Sequence, residues 1–249
     1  YMPVSGKSLF SKIEKYVDEN IQDFNRKCFE DLSNINLNSL IKRKNPYLFK
    51  AKNYTLGSEI VKSILDAHLS SREETIFGQF LEGLAIYINK LVYNGNKSAA
   101  EGLDLEFETA NKLYIVSIKS GPNWGNSDQI KKMIINFDKA KKVLRQNKSN
   151  QNREIIAVNG CCYGRDRSPD KGSYFKYCGQ AFWFLISGDD NMYSKIIQPL
   201  GKNAKKHNDD YKAKYAASLN LLTAVFIKEF CHPDGSINWE KLLTVNSAR

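Results

Sequence analysis

The feature that most constrains this chain is a change of period near its middle. Up to Ile88 the apolar residues recur at helical spacing. From Leu103 they alternate: Leu103, Leu105 and Phe107 interleave with Asp104, Glu106 and Glu108, and after a polar turn at Ala110-Asn111-Lys112 a second run extends from Leu113 to Lys119. A period of two belongs to a half-buried strand, so this stretch predicts a β-hairpin set between two helical regions.

The flanking segments fill in the order of elements. Leu9, Ile13, Val17, Ile21, Phe24 and Phe29 predict one amphipathic helix from Ser8 to Leu32. Asn45-Pro46 breaks the next short helical stretch, because proline restricts the residue before it. A second helix is expected from about Ser58 to Leu69. A third is expected to start at Ser71, where Glu74 three residues on completes a capping box, with Ile76, Phe77, Phe80, Leu81, Leu84, Ala85 and Ile88 as its apolar face. After the loop Gly121-Pro122-Asn123-Trp124-Gly125-Asn126, the residues Ile130, Met133, Ile134, Phe137, Ala140, Val143 and Leu144 describe another helix. Glu154 to Gly160 reads as a strand, and a last helix runs from about Asp210 to Phe230. Strand, strand, helix, strand predicts an α/β fold with helical additions. No composition shift, linker or repeat divides the chain, so one domain over residues 1–249 is expected, with 1–70 mainly helical and the core in 71–200.

Composition limits the partners. With 249 residues and 42% hydrophobic content the chain can bury a core, and 37 Lys plus Arg against 27 Asp plus Glu give a net charge of +10. That balance favours a polyanion, nucleic acid first, over an ordinary basic protein without one. Cys28, Cys161, Cys162, Cys178 and Cys231 are odd in number and show no zinc-site spacing, so they read as reduced thiols. No apolar run approaches the ~20 residues needed to span a bilayer, and the segment through Lys15 has no signal-peptide core, so a cytoplasmic location away from membranes is expected. Tyr1 stands ahead of Met2 and is set aside from the fold reading. His68, His207 and His232 are scattered without ligand spacing.

Asp104, Glu106 and Glu108 share one strand face, as do Ile115, Ser117 and Lys119, and closing the hairpin brings Asp104 towards Lys119. Carboxylates hold a hard cation such as Mg²⁺, and a cation beside a scissile phosphate offsets negative charge, so the pair can serve phosphodiester hydrolysis. On these residues alone an ordinary cross-strand salt bridge with a solvated acidic face is the more common outcome.

Gly102-Leu103-Asp104 followed by Ser117-Ile118-Lys119 resembles the core of the PD-(D/E)XK nucleases. The resemblance extends to Phe77-Gly78 with Glu82, to Gly179-Gln180-Ala181-Phe182-Trp183, and to Asp234-Gly235 with Trp239 and Leu242-Leu243. It covers most of the chain from about Asn45, and these features resemble a subgroup of type II restriction endonucleases that cut short palindromes interrupted by an unspecified base. It implies a restriction-endonuclease-like core, a mixed central sheet flanked by helices with an added N-terminal helical region. It also implies that Asp104 binds Mg²⁺, with Mn²⁺ as a substitute, and that Lys119 activates water and stabilises the pentacovalent phosphate.

One position departs from the motif. The second acid would stand at 117, where Ser117 is a neutral and poor Mg²⁺ ligand. Some enzymes of this superfamily take that carboxylate from a neighbouring helix. Glu82 is our choice, because it adjoins an apolar helix face where an acid is unexpected unless partnered, and Glu106 is the reserve. Asp128 and Gln129 open the next helix, either behind the site or as helix caps.

Two loops could read bases: Gly121 to Ser127, with Asn123, Trp124 and Asn126, and Tyr163 to Lys176, with Arg165, Arg167, Lys171 and Lys176. The second is the better candidate, although merely positioning phosphates is the more common role of Lys and Arg at such interfaces. The basic runs Lys42 to Lys44, Lys139 to Lys142 and Lys202 to Lys206 add to the general field. Phe182-Trp183-Phe184 reads as core. Double-stranded DNA is the implied substrate, and cutting a palindrome on both strands implies a homodimer, with the first helix either at its interface or packed on its own domain. A cognate DNA methyltransferase is expected in the same system. The remaining readings are a catalytically silent DNA-binding protein on this fold and a DNA repair nuclease.

Overall fold

The structure is a computed structural model that describes residues 6–147, 150, 152–201 and 204–248, apart from the side chains of residues 6, 7 and 204–207. Tyr1, Lys202 and the side chains of Lys205, Lys206 and His207 lie outside the described residues. The chain forms two compact units, Tyr1–Ile21 with Phe77–Lys202 and Gln22–Ile76 with Asn203–Arg249.

In the first unit a five-stranded mixed sheet runs in the order β1 (Asn96–Lys97), β2 (Leu105–Thr109), β3 (Lys112–Lys119), β4 (Glu154–Cys161) and β5 (Phe175–Cys178). The first two pairings are antiparallel and the last two parallel. The predicted hairpin is β2–β3, joined by Ala110-Asn111 with Thr109 opposite Lys112. Helix α5 (Ser127–Gln146) makes the crossover that a parallel β3–β4 pair requires.

Both faces of the sheet are covered, which is why β3 and β4 are buried almost along their length. Leu113, Ile115, Ile155 and Ala157 pack with Met133, Phe137 and Ala140 of α5. Leu105, Phe107, Val116, Ile118, Ile156 and Val158 pack on the other side against Phe80, Leu81, Leu84, Ala85 and Ile88 of α4 (Gly57–Tyr93), and against Ile13 and Val17 of α1 (Gly6–Ser33). Phe182, Trp183 and Ile186 of α6 (Gln180–Ser187) complete that layer. The short helices α7 (Met192–Lys195) and α8 (Ile197–Leu200) close the unit.

The second unit is helical. Leu32 of α1, Leu37, Leu40 and Ile41 of α2 (Leu37–Ile41) and Phe49 of α3 (Pro46–Ala51) share a core with Ile60, Ile64 and Leu65 of α4. Phe226 and Phe230 of α9 (Ala204–Phe230) and Leu242 of α10 (Trp239–Ser247) join them. Of the predicted α1 stripe, Ile13 and Val17 are buried, Leu9 and Ile21 partly so, and Phe29 is exposed.

Three sequence expectations change. The helices expected from Ser58 to Leu69 and from Ser71 are one helix, α4: neither Gly nor Pro interrupts Leu69-Ser70-Ser71, and the Ser71 carbonyl accepts a hydrogen bond from Thr75 Oγ1 at 2.9 Å in mid-helix. The Asp234-Gly235 motif forms a turn before an unanticipated helix, α10; Asp234 Oδ1 accepts from the Ser236 amide at 3.0 Å. Of the aromatic run, Phe182 and Trp183 are buried, whereas Phe184 faces outward. Strands β1 and β5, of two and four residues, are too short to display a period.

Gly179 and Gly160 explain the Gly-Gln-Ala-Phe-Trp stretch. Gly179 turns the chain from β5 into α6 at φ +54°, donating its amide to the Cys161 carbonyl at 2.9 Å. Trp183 Nε1 then donates to the Cys162 carbonyl at 2.8 Å. Phe182 lies flat on Gly160, where an added Cβ would fall 2.2 Å from its ring. Gly160→Ala is thus expected to destabilise the protein by about 1–3 kcal/mol through overpacking. Urea unfolding should show a lower midpoint at unchanged slope, and Phe182→Leu should relieve part of the loss.

Candidate active site

The β2–β3 pairing places Asp104 at the entrance to β2, one residue before the Leu105↔Val116 pair. Its own amide donates to the Val116 carbonyl at 2.9 Å, and its Oδ2 accepts from the Ile118 amide at 2.6 Å. Lys119, the last residue of β3, brings its ammonium to 3.9 Å from the same oxygen. That separation is an ion pair without a hydrogen bond. Burial pushes the Asp104 carboxyl above its ordinary pKa even though the Ile118 amide, Lys119, Lys97 and the Ser117 hydroxyl all favour its charged form.

Glu82, in α4, lies within electrostatic reach of Asp104, Lys97 and Lys119. It is half-buried, and burial raises its pKa, the negative charge of Asp104 adds to the rise, and Lys97 and Lys119 oppose it. The field thus ties together two carboxylates and two lysines. Lys97, in β1 opposite Leu105, was missed in the sequence, and the pairing of so short a strand gave no signal there. Two half-buried carboxylates, both held above their ordinary pKa chiefly by burial and one of them, Glu82, also by the charge of the other, form a donor set suited to a hard divalent cation. Among the described residues no group of three or more His, Cys, Asp or Glu side chains could hold a metal ion.

Glu106 is engaged elsewhere, accepting a hydrogen bond from the Ser98 hydroxyl, and Glu108 pairs with Arg153. Ser117 is 1% exposed, and its carbonyl accepts from the Asn159 side-chain amide at 3.2 Å. A carboxylate at 117 would have to be buried between β2 and β4, and serine avoids that cost.

Residues 11–208 match the family model described as type II restriction endonuclease EcoO109I. The chain belongs to this family. It is accordingly a site-specific DNA nuclease, and the matched residues contain Glu82, Asp104, Ser117 and Lys119. No curated protein matches the chain.

The loops of this endonuclease are ordered by their own contacts. Asp166 accepts from the Ser168 amide at 2.9 Å and from Lys171 Nζ at 3.0 Å, and lies 3.7 Å from Lys176 Nζ. Lys176 also donates to the Pro122 carbonyl at 2.9 Å, joining the two loops. The Tyr163 ring packs on Gly121, and Pro122 packs on Gly164. Lys171 and Lys176 are thus occupied within the loops, while Arg165, Arg167 and Asn123 are exposed; among the described residues neither arginine has an ion-pair partner. Asn126 caps α5, and its backbone amide donates to Gln129 Oε1 at 3.0 Å, so the pair forms a capping box. Asp128 is exposed beside Lys131. Trp124 turns inward and donates its indole N–H to Asn159 Oδ1 at 3.0 Å.

The raised pKa values carry a signed consequence. A carboxyl with a raised folded pKa stabilises the fold below its unfolded value, about 4, and loses that contribution as pH rises through the raised value. Glu82→Gln removes one of the two charges. It should raise the thermal midpoint of the metal-free protein at neutral pH and flatten the decline of stability above about pH 4, as read by calorimetry across pH.

Proposed function

We propose that the protein is a Mg²⁺-dependent type II restriction endonuclease that cuts both strands of a short palindromic or interrupted palindromic DNA site. It works as a homodimer in the cytoplasm, beside a cognate methyltransferase. Its centre is a PD-(D/E)XK site in which Ser117 occupies the second acidic position and Glu82 supplies the missing carboxylate. The observation that carries this reading is the Asp104–Lys119 pair at the end of β3, with Glu82 of α4 within the electrostatic reach of both.

Asp104 and Glu82 would hold the cation, since their mutual repulsion is what a divalent ion relieves. When bound, Mg²⁺, or Mn²⁺ in its place, supplies positive charge at the scissile phosphate and acidifies a water. Lys119 stands beside the pair with its ammonium free of a hydrogen bond to Asp104. It is placed to orient the attacking water and to offset the charge that builds on the five-coordinate phosphate. Ser117 steadies Asp104 through its hydroxyl. A palindrome cut on both strands calls for two such centres related by a twofold axis.

With metal-free protein, plasmid DNA and added Mg²⁺, wild type should give discrete fragments. Lys119→Ala and Glu82→Ala should each cut at least about a hundredfold more slowly, a loss of the size seen when one transition-state contact is removed, while still binding DNA. Cleavage that survives Glu82→Ala and disappears in Glu106→Ala would transfer the ligand to Glu106. Specific binding without cleavage in Mg²⁺ or Mn²⁺ would favour a silent binding protein.

Arg165, Arg167 and Asn123, all exposed on these loops, are the candidates for base contacts. If either arginine grips a guanine edge, its replacement by alanine should cost about 1–3 kcal/mol of specific binding and relax the cut sequence at one position. A phosphate-only role would instead weaken binding to all sequences equally and lower the salt dependence by about one charge. Sequencing the fragment ends and titrating salt separates the two.

A further inference from the structure

We infer that Trp124, fixed by Asn159, is a positioning residue for the Lys119 ammonium. The inference rests on the reading of Lys119 as the group facing the phosphate. Lys119 Nζ lies over the indole, 5.2 Å from its centroid. The negative face of an indole attracts a cation, and more strongly where water is partly excluded. The ring cannot drift. Its N–H is bonded to Asn159 Oδ1 at 3.0 Å, and its body packs against the core that contains Leu103, Met133 and Phe137. Asn159 is itself 1% exposed, paired in register with Ser117, and donates to the Ser117 carbonyl at 3.2 Å. A closed circuit therefore runs from β3 through β4 to the loop and back to the side chain at the end of β3.

The circuit has a chemical effect. A lysine on a flexible stem beside a buried carboxylate would collapse onto it in a close hydrogen-bonded pair. Here Nζ stands 3.9 Å from Asp104 Oδ2, and that oxygen takes its hydrogen bond from the Ile118 amide instead. The ring face is the second attraction that holds the ammonium short of contact. Asp104 keeps lone pairs for a cation, and Lys119 keeps its N–H donors for water and phosphate. With its N–H committed to Asn159, Trp124 has no donor to offer a base edge, so its place in the loop serves the lysine rather than sequence reading.

The test uses the full chain labelled with ¹³C-lysine. The ε-methylene protons of Lys119, shielded by the indole, should resonate upfield of the other lysines, and the signal is assigned by its absence in Lys119→Ala. In Trp124→Leu it should move to the ordinary lysine position, with Trp124→Met as the second variant should the first not fold. Cleavage by the same variant should lose about tenfold in kcat, the scale of a partly desolvated cation–π contact, with KM within about twofold, and Trp124→Phe should recover most of it. A Lys119 signal unmoved by Trp124→Leu would overturn the inference. So would a loss confined to KM, which would return Trp124 to DNA binding. Unchanged cleavage by Lys119→Ala would overturn the role assigned to the lysine itself, and with it the link from ring to catalysis, whatever the spectrum shows.

Discussion

The Ile118 amide donates to Oδ2 of Asp104 at 2.6 Å, and through that bond the acid is fixed to the strand that ends in Lys119. Such an amide would ordinarily pair with a neighbouring strand's carbonyl. Given to a side chain, it leaves β2 beginning one residue later, at Leu105, and stations a carboxylate where the hairpin opens. The position of Glu82 matters only because Asp104 is already there. So does that of Lys119. The α4 layer then brings a second negative charge to the first, and burial of both carries more weight than the lysines in setting their proton affinity.

How much of this could be read in the sequence depended on the range of the signal. Asp104 and Lys119 lie on adjacent arms of one hairpin, so alternation could bring them together, while the resemblance to the nuclease motif was needed to read the pair as a site. The α5 helix and β4 were equally plain. The capping-box reading at Ser71 misled because a serine followed by a glutamate also occurs inside a helix, and only the absence of a breaker could have argued otherwise. Lys97 and Asn159 depended on pairings between distant segments, and a two-residue strand or a buried asparagine has no local signature. Asn126 showed the same ambiguity in another form. An exposed asparagine in a glycine-containing loop suits base reading and helix capping alike, and here its Oδ1 accepts from the Gln129 amide as a cap.

Charge is arranged in two scales. Across the chain the surplus is +10, a field that gathers a polyanion without choosing a sequence. At the centre the sign reverses, with Asp104 and Glu82 close enough for the charge of the first to raise the pKa of the second. A phosphate drawn in by the first would be repelled by the second unless positive charge intervenes. Lys119 and Lys97 supply part of it, and a divalent cation is the natural complement.

The two units interleave along the chain, and this bears on the order in which they can be completed at the ribosome. Residues 22–76 are made early, but the α9 and α10 partners of Ile60, Leu65 and Phe49 are made only after residue 203. The sheet unit lacks nothing once Lys202 has emerged. At the usual 5–20 residues per second, the first half of the helical unit therefore waits several seconds with its apolar face uncovered, while the segment between its halves can fold. Nascent chains would be most exposed to aggregation and to chaperone capture in that interval, and the long sequence separation of the unit's core contacts points to slow closure.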